Sequence, residues 1–266
     1  MRGISLLVLS FCALSAYASA INVDLGTADS FAVLGGSTVT NTGPTTIHGN
    51  LGVSPGSAVT GILPVMVTGG TIHSNDALAM QAQADLINSY NFAAGEMCPS
   101  TNILTGQNLG GLTLTPGVYC FASSAQLTGK LTLNALGDPN AVFVFQIVST
   151  LTTAPASSVV FTNGVQGGDS VFWQVGSSAV IDTTTAFSGN ILALTSITLN
   201  TGATITCGRA LARNGQVAMD SNVVSIDTAG CETTTTGGSS VPEPATTGLS
   251  GLGLLLSLIV YRRLVC

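Results

Sequence analysis

The sequence predicts an all-β fold with one long helix, arranged as a β-solenoid, and three observations support this. A stretch of alternating apolar and small polar residues at 197–205 recurs at 179–187 and, more weakly, at 217–224, 151–156 and 41–45. Short strands that recur at roughly 20 residues are typical of stacked solenoid coils. Only 7% of the residues are charged and 32 are glycine, which favours a closely stacked β-structure over a helical enzyme. Residues 74–94 are the only convincing helix between the terminal segments.

The predicted helix has both a start signal and an apolar stripe. Ser74 or Asn75 can cap its N-terminus, Asp76 suits the positive end of the helix dipole, and Gly95 ends it. An apolar stripe at three- and four-residue spacing is formed by Leu78, Ala82, Leu86, Tyr90 and Ala93. We therefore expect the helix to lie along one face of the solenoid with this stripe inward.

Two later segments, residues 141–148 and 171–175, are nearly continuous apolar runs. Strands that are apolar on both sides are usually covered on both sides. The solenoid interior is expected on one side and the helix on the other. The core aromatic residues would include Phe143, Phe145, Phe172 and Trp173, and Gln146 and Gln174 could form a buried amide ladder.

Composition excludes several functions. The net charge is −6 with six Lys and Arg residues in total, so the surface cannot neutralise a run of phosphates and nucleic acid is not an expected partner. The acidic residues are scattered, without the paired carboxylates of a hydrolase. The two histidines, His48 and His73, have no nucleophile motif nearby and are interpreted as structural. We predict no catalytic residue, metal or cofactor, and a monomer.

Both ends of the chain carry processing signals. Residues 1–20 combine Arg2, an apolar run and Ala18-Ser19-Ala20, which predicts a secretory signal peptide; a buried N-terminal helix is the alternative. Residues 232–240 form a Thr/Gly/Ser linker. Residues 241–266 contain Pro-Glu-Pro, a short apolar run and an arginine pair, and resemble the PEP-CTERM sorting tail of Gram-negative bacteria; a plain membrane anchor is the alternative. The domain at 21–231 is thus expected to be secreted or at the cell surface, with a tail that is transiently in the membrane and read by sorting machinery.

Four cysteines remain when the terminal segments are set aside, which agrees with export. They are Cys98, Cys120, Cys207 and Cys231, and they allow three pairings. The two local closures, Cys98–Cys120 and Cys207–Cys231, are favoured. Zinc is the competing interpretation, but no Cys-x-x-Cys pair exists.

The remaining feature is a ladder of threonines. Parallel strands stack about 4.8 Å apart, so each coil places its threonine one rung above the last. Threonine is stiff at χ1, and the hydroxyls and methyls would form a fixed, nearly flat array that can hold water in an ice-like pattern. The alternative is that threonine is simply a good strand residue on a solvated face.

Long segments of the chain resemble the ice-binding-like family, also known as the DUF3494 type. The resemblance spans about residues 21 to 231, and the segments that carry it are residues 38–55, 69–90, 116–121, 143–153, 171–178 and 190–214. The resemblance implies a right-handed β-solenoid of triangular cross-section with an α-helix packed alongside. It also implies adsorption to ice through one flat face, giving thermal hysteresis and inhibition of ice recrystallisation.

Members of that family with a Thr-Ala/Gly-x-Thr/Asn pattern use it on the ice-binding face. Residues 42–45 and 201–204 match the pattern fully, whereas 153–156, 183–186 and 221–224 are degraded copies. The resemblance therefore predicts an ice-binding set of Thr42, Gly43, Thr45, Thr153, Ala154, Thr183, Thr185, Thr201, Gly202, Thr204 and Ser221. The rival hypothesis is a non-enzymatic adhesion or exopolysaccharide-associated protein of the cell surface or matrix, motivated by the sorting tail.

Overall fold

A computed structural model describes residues 23–164 and 170–226 of the chain. The predicted signal peptide, linker, sorting tail and Cys231 lie outside the described residues. Within them, no helix has the length and apolarity needed to cross a membrane.

The described chain forms three parallel β-sheets that wind around one interior, which confirms the predicted β-solenoid. Sheet A contains β1 (Phe31–Gly35), β4 (Asn50–Val53), β7 (Ile72–Ser74), β9 (Gly117–Phe121), β12 (Phe143–Ile147), β15 (Val171–Val175), β18 (Asn190–Ala193) and β21 (Ala210–Ala212). Sheet B contains β2 (Thr38–Thr42), β5 (Ala58–Thr60), β10 (Ala125–Leu127), β13 (Leu151–Thr153), β16 (Ala179–Ile181), β19 (Ile197–Leu199) and β22 (Val217–Asp220). Sheet C contains β3 (Thr46–His48), β6 (Val67–Thr68), β8 (Thr113–Leu114), β11 (Lys130–Asn134), β14 (Ser158–Thr162), β17 (Ala186–Ser188), β20 (Thr204–Thr206) and β23 (Val223–Ser225).

The coils do not stack in simple chain order. The first coil, β1 to β3, lies between β4 to β6 on one side and the last coil, β21 to β23, on the other. Val33 pairs with Ala210, and Val39 pairs with Val217. The buried guanidinium of Arg209 donates to the carboxylate and the carbonyl of Asp29. The two distant ends of the described chain are thereby joined within one continuous stack.

The helix makes this stacking order possible. Helix α1 (Ala77–Gly95) follows β7 at one end of sheet A, and the chain re-enters that sheet at β9, at the opposite end. Asp76 caps the helix by accepting a hydrogen bond from the Ala79 backbone at 2.9 Å. Short 3-10 helices lie before β1, at Gly26–Ser30, and in later connections, at Pro64–Met66 and Ser100–Asn102.

Two apolar cores result, one inside the solenoid and one between sheet A and α1. Alternating residues of one strand serve both: Trp173 points into the solenoid, while Phe172 contacts the helix side. The prediction of strands covered on both sides is confirmed. The inward stripe was predicted one residue off at its start, because Ala79 is buried whereas Leu78 is 39% exposed.

The end of α1 is fixed by a side chain and a disulfide. Gln146 donates to the carbonyls of Ala93 and Glu96 at 2.8 and 2.7 Å, so its amide binds the helix terminus rather than a glutamine ladder. The Cys98–Cys120 disulfide joins the segment after the helix to β9, as predicted. Cys207 is also disulfide-bonded; its predicted partner, Cys231, is outside the described residues.

Candidate functional site

Sheet B carries a continuous row of outward side chains, one from each of its strands. We call it the B row, and its members lie in direct register in the order Thr60, Thr40, Ala218, Thr198, Val180, Thr152 and Gln126. The outward direction follows from strand alternation, since Val39 and Asn41 on either side of Thr40 are buried, as are Ile197 and Leu199 around Thr198. The B row is therefore a regular array of outward side chains on one face, all of them small or β-branched except Gln126 at one end.

The geometry of the B row is fixed by its backbone. Parallel rungs repeat at about 4.8 Å, and β-branched threonine and valine have few χ1 rotamers. The hydroxyl and methyl positions of Thr40, Thr152 and Thr198 are thus set by the sheet. A shallow depression lies over the strands around Ala218, where a side chain without a hydroxyl stands between Thr198 and Thr40.

A second row runs beside the first, at the corner where sheet B turns into sheet C. It contains Thr42 in register with Asp220, followed by Asn200 and Asp182 on the next coils. Asp182 accepts from the Asn200 amide at 2.9 Å and from the Thr183 backbone at 2.7 Å. Asp220 accepts from the hydroxyls of Thr201 and Ser221. Both carboxylates are thus bound to donors of the protein itself.

These hydrogen bonds stabilise the charged form of both acids. The Asn200 amide and the Thr183 backbone hold the pKa of Asp182 below its ordinary value of 3.8. The hydroxyls of Thr201 and Ser221 lower the pKa of Asp220 in the same way. Both side chains therefore stay ionised at neutral pH.

We expect acid to weaken this corner only at low pH. Because the folded pKa of each acid is lower than the unfolded one, the stabilisation is complete above the unfolded value and is lost as pH falls through the folded value. The melting temperature should change little from neutral pH to about pH 4 and fall below it. The Asp182→Asn variant, which cannot be protonated there, should show a smaller fall in acid. A main loss of stability between pH 7 and 5 would contradict this assignment.

The predicted site residues do not form one array. Thr42 and Thr201 are exposed at the corner, and Ala154, Thr183 and Thr204 are partly exposed. Thr204 is the first residue of β20, so it belongs to sheet C. These five residues can face solvent, but they are distributed over a corner and two sheets.

Three predicted residues are turned inward, and the prediction that they belong to an exposed array is wrong. The exposed fractions of Thr45, Thr153 and Thr185 are 3%, 6% and 0%. The hydroxyls of Thr153 and Thr185 are 3.1 Å apart, and Thr185 donates to the Ala154 carbonyl. Thr45 accepts from the Asn222 backbone at 3.0 Å. These hydroxyls satisfy buried backbone groups where the chain turns from sheet B to sheet C.

The two full copies of the motif also differ by one residue in their register along the stacked strands. Thr42 pairs with Asp220 at the end of sheet B, whereas Thr201 lies one position further, in the turn after Asn200. Thr204 pairs with Val223, and Val223 pairs with Thr46 rather than Thr45. The motif is therefore a feature of the turn and not a repeat of equivalent surface positions.

The remaining predicted residues are turn formers. Gly43, Gly202 and Ser221 have φ values of 71°, 72° and 56°, the left-handed region that favours glycine. The Ser221 hydroxyl is bound to Asp220 at 3.0 Å. Their role in the structure is to reverse the chain at the corner.

The prediction missed the threonines of the B row, namely Thr40, Thr60, Thr152 and Thr198. A signal was present in the sequence, since each follows an apolar interior residue within a short strand, as in Ile197-Thr198-Leu199. Comparing residues by strand alternation, rather than by the Thr-Gly-x-Thr pattern, would have found them.

Thr71, His73 and Asp76 form a hydrogen-bonded chain whose distances resemble those of a hydroxyl, histidine and carboxylate catalytic triad. The Nε2 of His73 is 2.8 Å from the Thr71 hydroxyl and its Nδ1 is 2.7 Å from Asp76. The other oxygen of Asp76 caps α1, and the ring of His73 packs edge-on against the buried Phe31. These contacts attach β7 to the start of the helix, which is a structural use of the histidine.

Comparison with known proteins agrees with this architecture. A family model described as ice-binding-like matches residues 33–225, and a PEP-CTERM protein-sorting motif matches residues 240–263. An ice-binding protein of Nostoc sp. (strain HG1) is 55% identical over 262 residues, covering 98% of this chain and 94% of that protein.

Solved structures give the same result. The crystal structure of an ice-binding protein from an Antarctic biological consortium is similar with a TM-score of 0.72 and 49% identity, over 77% of this chain and 90% of that one. The ice-binding protein of the Antarctic ascomycete Antarctomyces psychrotrophicus has a TM-score of 0.72 and 38% identity, over 77% and 98% of the two chains.

Proposed function

Because the chain belongs to the ice-binding-like family, we propose that it adsorbs to ice through the outer face of sheet B. The observation that carries the proposal is the B row, a seven-strand array in unbroken register with threonine at four of its positions. The expected consequences are thermal hysteresis and inhibition of ice recrystallisation.

The chemistry of the B row suits a neutral, regular ligand. Ice offers a periodic array of water molecules and no charge, so a partner surface gains from regular spacing and loses from strongly hydrated ions. The threonine hydroxyls can hydrogen-bond water, and the methyls limit how many ways that water can be arranged. Ordered water that bridges two surfaces is nearly as favourable as a direct hydrogen bond.

The neighbouring carboxylates are compatible with this function. Asp182 and Asp220 lie beside the B row and not within it, and their oxygens accept hydrogen bonds from Asn200, Thr201 and Ser221. A carboxylate that is bound by its own protein has fewer oxygens available to orient water. The corner can therefore adjoin an ice surface without strong competing hydration.

We also propose that the protein is non-enzymatic and acts outside the cytoplasm. The match to the sorting motif and the predicted signal peptide support export. In this proposal the tail is read by sorting machinery and held briefly in the membrane. We propose that the exported form works as a monomer, with the ice surface as its partner.

The test is the thermal hysteresis and recrystallisation inhibition of the purified protein at millimolar and lower concentrations. Hysteresis that rises with concentration is the expected result. Ice crystals that grow and coarsen as in buffer alone would refute the function. Retention on an exopolysaccharide column without any effect on ice would support the adhesion hypothesis instead.

The depression at Ala218 allows a gain-of-function prediction. The Ala218→Thr variant would place hydroxyls on four consecutive strands, from Thr198 through residue 218 to Thr40 and Thr60. Because Ala218 points outward and a threonine suits a strand, the fold should be kept and hysteresis should rise. The control is Ala84→Thr on the exposed side of α1, which should leave hysteresis unchanged although threonine is a poorer helix former than alanine. Unchanged hysteresis in Ala218→Thr would argue against the B row as the contact.

A further inference from the structure

The B row crosses a joint between two parts of the chain that are far apart in sequence. The first coil lies against the last coil, and in the B row this places Thr40 of β2 beside Ala218 of β22. Every other neighbouring pair of strands in sheet B belongs to consecutive coils of the chain. Thr40 and Thr60 therefore stay in line with the rest of the row only through contacts across this joint.

Three buried side chains close the joint at the corner where sheet B turns into sheet C. They are Asn41, Thr45 and Asn222, with exposed fractions of 8%, 3% and 1%, and we call them the joint network. The Thr45 hydroxyl accepts from the Asn222 backbone amide at 3.0 Å and donates to the side-chain oxygen of Asn41 at 2.5 Å. Because Thr45 and Asn222 are 177 residues apart, this contact links the first coil directly to the last.

Both asparagines extend the joint network to the coils on either side. The Asn222 side chain donates to the carbonyls of Asn200 and Ala203, each at 2.9 Å. The Asn41 side chain donates to the Gly61 carbonyl at 2.9 Å. The network therefore connects four neighbouring coils. The members of the B row on these coils are Thr198, Ala218, Thr40 and Thr60.

Other contacts across the joint lie on the far side of sheet B. Arg209 binds Asp29 ahead of β1. At the turn from sheet A to sheet B, the backbone amides of Gly36 and Ser37 donate to the Gly215 carbonyl at 2.9 and 3.0 Å. These contacts fix sheet A and the near edge of sheet B, so the joint network acts at the opposite edge.

We propose that the joint network is a positioning set for ice binding, an inference that rests on the proposed function of sheet B. Its members do not contact ice themselves. They fix the register between the first and last coils, and register decides which side chains face outward. A buried polar network in which every member is bonded can hold one arrangement. The network thereby keeps Thr40 and Thr198 in one flat array.

Loss of the Thr45 hydroxyl should weaken the joint in particular. The Thr45→Val variant keeps the shape of the side chain but takes one partner from the Asn222 amide and one from the Asn41 oxygen. Buried polar groups that lose a partner are costly, so the turn would move towards other partners or water. Because 177 residues of chain separate the two sides, the first coil is free to shift against the last.

The test compares the full protein with Thr45→Val, with Thr185→Val as the matched control and with Thr45→Ser, which keeps the hydroxyl. Thr185 is also a buried threonine of a turn from sheet B to sheet C, but its hydroxyl contacts Thr153 of the preceding coil. The melting temperature of each variant checks its fold. If Thr45→Val does not fold, Asn41→Ala replaces it, because it removes one partner of the Thr45 hydroxyl and leaves the Asn222 amide bonded.

The first readout is hydrogen exchange, which needs no ice. We expect Thr45→Val to speed exchange of the amides that join β2 to β22 by about tenfold or more, because local opening costs less free energy, and Thr185→Val to leave them unchanged. The second readout is the hysteresis of folded protein. Thr45→Val should lower it about twofold or more, since a flat array acts as one unit only while its rungs stay in register. Thr45→Ser and Thr185→Val should match the wild type.

Three results would overturn the positioning role. The first is unchanged exchange at the joint in Thr45→Val. The second is faster exchange there with wild-type hysteresis, which would make the network merely structural. The third is an equal loss of hysteresis in Thr45→Val and Thr185→Val, which would point to buried threonines in general. Absence of hysteresis in the wild type would instead refute the proposed function of sheet B, and the positioning role with it, whatever the exchange shows.

Discussion

The Thr198→Tyr variant is expected to lose most of the thermal hysteresis that sheet B provides while keeping the fold of the protein. Thr198 is near the centre of the B row, between Val180 and Ala218. A tyrosine ring there would stand above its neighbours and hold the flat array away from an ice surface. Because the side chain points outward, the interior residues Ile197 and Leu199 would be unaffected.

Two comparisons make this result specific. The Asn91→Tyr variant adds the same ring on the outer side of α1, and its hysteresis should equal that of the wild type. The Thr185→Val variant removes a fully buried hydroxyl from the degraded copy of the Thr-Gly-x-Thr pattern at residues 183–186. It should lower the free energy of unfolding by about 1–3 kcal/mol, since the hydroxyl bonds Thr153 and the Ala154 carbonyl, but leave hysteresis intact in folded protein. If Thr198→Tyr retained wild-type hysteresis, sheet B could not be the main contact.

The Trp173→Ala variant is expected to cause the largest loss of stability. Trp173 is fully buried inside the solenoid and stacks on Phe145 with ring centroids 3.9 Å apart, with Phe187 at 5.0 Å on its other side. Its indole nitrogen donates to the Ser188 carbonyl at 3.1 Å. Removing the ring leaves a cavity and takes one hydrogen bond from the Ser188 carbonyl, and replacing a large aromatic residue by alanine costs about 3–5 kcal/mol.

Denaturant titration measures this loss as a change in the free energy of unfolding. The matched control is Trp173→Phe, which keeps a ring for Phe145 but loses the hydrogen bond to Ser188 and part of the ring volume, so its cost should be smaller, about 1–2 kcal/mol. Equal stability of Trp173→Ala and the wild type would mean that the aromatic stack does not hold neighbouring coils together.

The fold could be predicted because strand alternation and the spacing between repeats can both be read from residues that are close in the sequence. Alternation around residues such as Ile197 and Leu199 indicates strands, and the spacing of copies indicates stacked coils. The helix was visible from Asp76 and its inward stripe, although Leu78 proved exposed since Ala79 takes the inward position. The insertion of the first coil between two others depends on contacts such as Val39 with Val217, which no local pattern reveals.

The site was harder to predict, because turn lengths vary. Two residues separate Thr42 from Thr45, whereas one residue separates Asp220 from Asn222, and a shift of one residue changes which side chains point outward. Matching the Thr-Gly-x-Thr pattern therefore combined exposed residues such as Thr201 with buried ones such as Thr185. The strand residues Thr40 and Thr198 keep their register regardless of the turns, which is why they form the flat surface.

The most direct measurement is fluorescence microscopy of labelled protein on a single growing ice crystal, comparing the wild type, Thr198→Tyr and Asn91→Tyr at equal concentration. We predict that the wild type and Asn91→Tyr cover the crystal and that Thr198→Tyr leaves bare the planes bound by sheet B. Equal coverage by all three proteins, or none by the wild type, would contradict the assignment of the ice-binding surface to sheet B.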